Sequence, residues 1–330
     1  MLGLIRSLRA AGVMGINARN VGYIIPCNQR RLYPLVDDKA LTKRLAQAAG
    51  LAVPELYGVI EYVGAVGNLA KIVEGRESFV VKPARGSGGN GIIVVVARVR
   101  DAMRMANGAL ITMAELEYHV KNALGGIYSL GGHPDKVLVE YCVRFDPVFK
   151  RIAFQGVPDV RVIVYRGVPV MAMVRLPTRQ SGGRANLHQG AIGAGIDMGS
   201  GRTLTAVLAN EIVTEHPDTL MPVSGVAIPH WNKILTIAAQ THELTGLGYQ
   251  GVDIVLDRDK GPLVLELNAR PGLNIQIANR AGLEPRLAAV DAAGAHKLPR
   301  AKRVAFAKRA FAVELPAQRD PEATPAAAGT

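Results

Sequence analysis

Cysteine is nearly absent: the 330 residues include two, Cys27 and Cys142. Both stand in apolar stretches and neither belongs to a metal-spaced pair. That argues against a disulfide framework or a zinc site and fits a reducing, cytoplasmic setting. Aromatic residues are scarce, at 5%. No apolar run approaches the roughly 20 residues that span a bilayer. Arg6, Arg9 and Arg19 interrupt residues 1–25, where a signal peptide needs an unbroken apolar core. The chain reads as a soluble protein. Acidic residues are outnumbered, 27 against 39 Lys and Arg, for a formal charge of +12. That surplus concerns partners rather than fold. The bases are dispersed, apart from a patch at 297–309, and are not interleaved with aromatics. A stacking groove for single-stranded nucleic acid is therefore poorly supported, and a small anionic substrate is the simpler partner.

What the chain has is aliphatic residues and glycine. Apolar residues make up 49% and charged residues 20%, a composition suited to an α/β core and, at this length, about two domains. Residues 1–36 read as a basic, partly helical lead. Helical spacing (Leu41, Leu45, Ala48) follows, with Asp37 or Asp38 to cap it and Gly50 to close it. Strands are expected at 79–82 and 92–96, a helix at 112–124, and further strands at 136–141, 160–165 and 169–175. Residues 177–199 read as a loop. A helix at 232–245 stops at Gly246, and 251–256 with 262–267 form a hairpin around the polar turn 257–261. After about residue 297 the pattern fails, and 316–330 is Pro/Ala-rich and disordered in this reading. No internal repeat is visible.

The loop Gly86, Ser87, Gly88, Gly89, Asn90, Gly91 formally matches G-x-G-x-x-G. A dinucleotide fingerprint opens a helix and is followed by an acid about 20 residues on. Here a β-branched run follows instead, so the loop is a hairpin tip. Its freed N–H groups suit phosphate oxygens, and Lys82 on the entering strand can meet the same anion. An ordinary glycine-rich surface hairpin is the alternative. No P-loop lysine motif and no protein-kinase motif is present.

The hairpin carries Asp253 on one strand and Glu266 and Asn268 on the other. Period-two alternation puts Glu266 and Asn268 on one face, and a turn centred between Asp259 and Lys260 sets Asp253 opposite Glu266. Acids among apolar strands are costly to bury unpaired. Bound Mg²⁺ accounts for their placement. Pairing with basic neighbours, Arg270 being nearest in sequence, is the other reading.

Together these residues resemble the ATP-grasp superfamily and, within it, the RimK-type α-L-glutamate ligases, over roughly residues 36–280. The resemblance implies an α+β ATP-grasp fold, two subdomains each with an antiparallel sheet and helices clasping ATP, at 37–143 and 144–296, with a tail at 297–330. Lys39 corresponds to the first nucleotide-side lysine. Lys82 and residues 86–91 correspond to the phosphate strand and flap, and Glu140, Tyr141, Cys142 and Val143 to the hinge that reads adenine. Asp159 and Arg161 match the D-x-R strand, whose arginine approaches the γ-phosphate, with Arg175 and Arg184 as candidates to share that role. Residues 186–190, with Asn186 and His188, are similar to the N-L-H-x-G loop, and residues 265–273 to the closing metal motif. Asn17 to Asn20 and Tyr33 to Lys39 are also similar to glutamate-ligase-like bacterial proteins. Two departures stand out. Only about 37 residues precede the lysine helix, where the family carries a further α/β domain; a partner subunit, a second copy or a large acceptor is expected to complete the pocket. Arg270 stands where the family has a small residue and is a candidate clamp for a substrate carboxylate.

The implied chemistry is ATP-dependent amide formation through an acyl phosphate, with two Mg²⁺ ions (Mn²⁺ substituting), joining glutamate or another amino acid to a small molecule, peptide or protein. Phosphotransfer to a hydroxyl is the competing reaction, and a binding protein with a dead nucleotide site is a third. No membrane insertion is expected, and binding of nucleic acid rests on charge alone.

Overall fold

Two antiparallel sheets divide the hydrophobic residues between them in the computed structural model, which describes residues 2–86 and 88–313. Ser87 of the glycine loop and the Pro/Ala-rich stretch 316–330 lie outside the described residues. The first sheet comprises β1 (Leu56–Ile60), β2 (Phe79–Pro83), β3 (Ile93–Val99), β4 (Ala102–Met105), β5 (Leu110–Thr112) and β6 (Val137–Glu140), in the order β1-β6-β2-β3-β4-β5. The second comprises β7 (Asp159–Tyr165), β8 (Val168–Leu176), β9 (Ile192–Ile196), β10 (Thr203–Leu208), β11 (Glu211–Val213), β12 (Tyr249–Asp257) and β13 (Gly261–Asn268), in the order β11-β10-β9-β8-β7-β12-β13.

The β-branched runs of β2 and β3 pair directly, Val80 with Val94 and Val81 with Ile93, as such residues favour. Helix Met113–Leu124 covers this sheet, started by a capping box between Thr112 and Glu115. Helix Lys39–Ala48 is capped by Asp38, whose Oδ1 accepts from the backbone N–H groups of Ala40 and Leu41. Its buried face is Ala40, Thr42, Lys43 and Ala46, whereas Ala48 of the expected stripe is exposed. Helix Trp231–Thr245 packs on the second sheet and ends at Gly246 in the left-handed conformation.

The hairpin pairs Asp253 with Glu266, by a route the sequence did not indicate. Its turn centres on Asp259, since Asp257 faces Gly261 and Ile254 faces Val264. Leu265 is then an extra residue, a β-bulge that restores Asp253 opposite Glu266.

Three expectations need correction. Residues 177–199 are not all loop, because β9 lies within them. Its glycines hid it: a Cβ on Gly195 would sit 2.4 Å from the Ala278 carbonyl oxygen, so the strand needs glycine for close packing. The chain after 297 does not lose its structure at once. Helix Arg300–Ala310 buries Val304, Ala307 and Arg303, and Arg300 and Arg303 both pair with Glu243. Its dense charge masked the narrow apolar face. The lead is not a separate segment either. Met14, Ile24 and Val36 belong to the second core. Asn28 exchanges hydrogen bonds with the Tyr249 backbone at 2.7 and 2.9 Å, and the Arg19 guanidinium donates to the Pro271 carbonyl at 2.6 Å.

Candidate active site

Sheet order decides which bases meet the hairpin acids. β7 lies beside β12, so Arg161 faces Asp253, and β8 lies beside β7, so Arg175 faces Asp159. Arg161 donates to both Asp253 oxygens, from Nε at 2.7 Å and Nη2 at 2.6 Å. Arg175 donates to both Asp159 oxygens, at 2.5 and 2.6 Å, and its Nη2 reaches Asp253 Oδ2 at 2.7 Å. Such forked pairs fix direction as well as charge. Asp253 is fully buried. Burial opposes its ionisation, but Arg161 and Arg175 outweigh burial and hold it below the usual carboxylate range. Asp159 behaves oppositely: burial, reinforced by the Asp253 charge, overcomes Arg175 and pushes it up to about 6. Asn268 Nδ2 approaches Asp253 and Glu266 at 3.3 and 3.4 Å, and Glu266 lies 3.8 Å from Lys39 Nζ.

A second cluster lies in the first sheet. Glu140, at the end of β6, contacts Lys82 of β2 and Lys43 of helix Lys39–Ala48, each at 2.6 Å. All three side chains are buried. Lys43 also donates to the Pro54 carbonyl at 2.6 Å, and burial lowers it to about 8 despite Glu140. In Glu140, burial raises the pKa, yet the two ammonium groups prevail and the net direction is down. Lys43 escaped the sequence reading. The available signal was its spacing four residues after Lys39, but a lysine on an amphipathic helix ordinarily reads as solvated.

The glycine loop spans the gap to the second sheet. Lys39 Nζ donates to the Gly86 carbonyl at 2.7 Å. Gly88, Gly89 and Gly91 all have positive φ. A Cβ on Gly89 would lie 3.3 Å from Arg184 Cδ, and one on Gly88 3.5 Å from Asn186 Nδ2. Gln189 Nε2 donates to the Gly88 carbonyl at 3.1 Å. The root of the loop is held by His119, 2.9 Å from the Gly91 carbonyl, and by Asp135, which accepts from the Arg85 N–H. Neither His119 nor Asp135 was visible from sequence.

Other expected residues stand apart. Arg270 is exposed and lies over the Tyr33 ring, 5.2 Å from its centroid, outside the carboxylate cluster. The bases on Asp253 are Arg161 and Arg175 instead, because strand neighbours rather than sequence neighbours supply them. His188 is exposed at the rim of a pocket of about 450 Å³. Asn90 is exposed at the flap tip. The Tyr141 N–H is already bonded to the Glu55 carbonyl, and Lys260 lies over its ring. Cys142 is buried beside Asp257 and Glu140, which pushes its thiol up to about 11, and Val143 is half-buried.

The family described as sugar-transfer associated ATP-grasp matches residues 18–292. The chain belongs to that family. It has the ATP-grasp fold, two antiparallel sheets with helices. None of the curated proteins matches it. Among solved structures, it is similar to the ATP-grasp ligase PsnB complexed with a minimal precursor, at 19% identity and TM-score 0.43 over 82% of this chain and 64% of that one. It is also similar to D-cycloserine synthetase DcsG, at 16% and 0.45 over 86% and 73%. A third is D-alanyl-alanine synthetase A from Vibrio cholerae O1 biovar eltor str. N16961, at 12% and 0.42 over 85% and 66%. The chain spans about three fifths of the length of the PsnB chains.

ATP-grasp enzymes use ATP and Mg²⁺, and the residues here fit a hard cation. Asp253, Glu266 and Asn268 supply only oxygen ligands. Asn268 turns its amide nitrogen toward the two acids, leaving its carbonyl oxygen for another partner. Both Asp253 oxygens are engaged by guanidinium groups, so Glu266 and Asn268 are the more open members of the set. Among the described residues no three His, Cys, Asp or Glu side chains are grouped to hold an ion by themselves.

Proposed function

We propose that this ATP-grasp protein is a carboxylate–amine ligase. A carboxylate oxygen of one substrate attacks the γ-phosphorus of ATP, the bond to the β-phosphate oxygen breaks, and ADP leaves an acyl phosphate. An amine then attacks the acyl carbon, inorganic phosphate departs, and the amine proton is released. The observation that carries this reading is the contact between two loops, one from each sheet. The glycine flap and residues 184–189 meet near the Lys39–Glu266–Asp253–Arg161–Arg175 cluster.

Lys39 and Lys82 are assigned to the α- and β-phosphates, the flap N–H groups to the phosphate oxygens, and Arg161, Arg175 and Arg184 to the transferred phosphoryl group. Asp253, Glu266 and Asn268 would hold Mg²⁺, whose contribution is to neutralise phosphate charge. The flap's second task is to exclude water from the acyl phosphate. Glutamate or another amino acid is the substrate that the RimK-type resemblance implies, and a cytoplasmic setting accompanies it. The description of the family adds saccharides to the acceptors worth screening.

The chain is incubated with ATP, Mg²⁺, hydroxylamine and single amino acids. An acyl phosphate gives a hydroxamate together with ADP and phosphate. ADP with a phosphorylated hydroxyl compound and no hydroxamate would replace the ligase reading with phosphotransfer.

A further inference from the structure

The pocket beside His188 has a lining unlike the rest of the site. Its volume is about 450 Å³, within the range of small-ligand pockets. Four carboxamides line it from three segments: Gln180 and Gln189 from the β8–β9 connection, Asn210 from the β10–β11 turn and Asn274 from the stretch after β13. Leu187 and Val207 supply apolar wall, and among the described residues no Asp, Glu, Lys or Arg lines it. The phosphate side of the site is, by contrast, dense with formal charge.

Two features indicate that the lining is built rather than incidental. Gln189 donates its amide nitrogen to the flap at the Gly88 carbonyl, which fixes its side chain beside the pocket. Asn210 is set by a two-residue turn in which Ala209 and Asn210 both have positive φ, 48° and 71°, between paired Leu208 and Glu211. Alanine is disfavoured there, and such local strain accompanies functional positions.

Carboxamides donate and accept together without charge. Coming from three segments, they line the pocket on more than one side. A ring bearing hydroxyls on several sides uses that arrangement, with its C–H surface against Leu187 and Val207. An extended peptide would use a strand edge instead. We propose that this pocket is the acceptor subsite and takes the neutral, hydroxyl-rich saccharide part of the acceptor, with Gln189 linking its occupancy to the flap. This rests on the ligase reading above.

The test is saturation-transfer NMR on the full chain with N,N′-diacetylchitobiose, triglycine and glutamate as separate probes at millimolar concentration. The disaccharide should receive saturation. Asn210→Leu and Gln180→Met, both at exposed positions, should each weaken its binding roughly five- to tenfold, the fold-change of one lost hydrogen bond. Thermal melts establish that each variant is folded. Saturation of triglycine or glutamate without the disaccharide overturns the proposal, as does disaccharide binding that neither variant alters. The hydroxamate assay uses no acceptor, so its failure removes the ligase reading, whereas hydroxamate formation without disaccharide binding removes only this one.

Discussion

The two sheets each bury an ionic cluster, and the two differ in how far they open to solvent. In the first sheet, Lys43 and Lys82 share Glu140, leaving one positive charge in excess. In the second, Arg161 and Arg175 stand against Asp159 and Asp253, and the nearby Glu266 has Lys39 at 3.8 Å, so the formal charges balance. The lysine cluster is sealed, whereas the arginine cluster opens toward Glu266, whose side chain is 32% exposed. The first cluster therefore holds its elements together out of reach of solvent, whereas the second keeps Glu266 within reach of a ligand.

The most severe way to break this comparison is Glu140→Gln, which leaves two buried ammonium groups without a carboxylate. Loss of one partner of a buried ion pair costs about 3–5 kcal/mol, and urea denaturation should register a loss of that size. In the other cluster, Arg161→Ala should lower hydroxamate formation on the order of 10²–10³-fold, as losing one stabiliser of transition-state charge does. The same substitution strands Asp253, so activity is compared at a temperature where circular dichroism shows the variant folded.

The pH dependence sharpens the contrast. Lys43 is lowered in the fold to about 8, from 10.5. The unfolded chain then binds more protons between those values, and stability from this group rises with pH across that window. Between pH 7 and 9.5, wild type should gain about 2 kcal/mol relative to Lys43→Met; an unchanged difference would mean that the ammonium is not penalised. The smallest effect belongs to the flap. Gly89 has φ +80 and Arg184 is close to where a Cβ would go. Gly89→Ala should cost about 1–2 kcal/mol locally and raise the KM for ATP several-fold with little change in melting temperature.

The two features that span short stretches of chain were open to sequence reading: the glycine loop between β-branched strands, and the acids of one hairpin. Even there, the pairing of Asp253 with Glu266 depends on a bulge at Leu265 that alternation alone does not reveal. What neutralises those acids was hidden because Arg161 and Arg175 are 92 and 78 residues away in the chain. Only sheet order brings them together. Lys43 was hidden for a different reason, since its burial depends on Glu140 and Pro54 arriving from other elements. β9 was concealed by glycines whose purpose is contact with Ala278.

Asn28 and Arg19 fasten the lead to Tyr249, at the start of the hairpin that carries Asp253 and Glu266, and to Pro271, just beyond its end. A protein shortened by thirty residues at its front would retain every acid and base of the cleft but lose both fastenings. Its sluggish turnover would be a symptom of slack anchorage, and restoring the lead as a separate peptide would be the remedy.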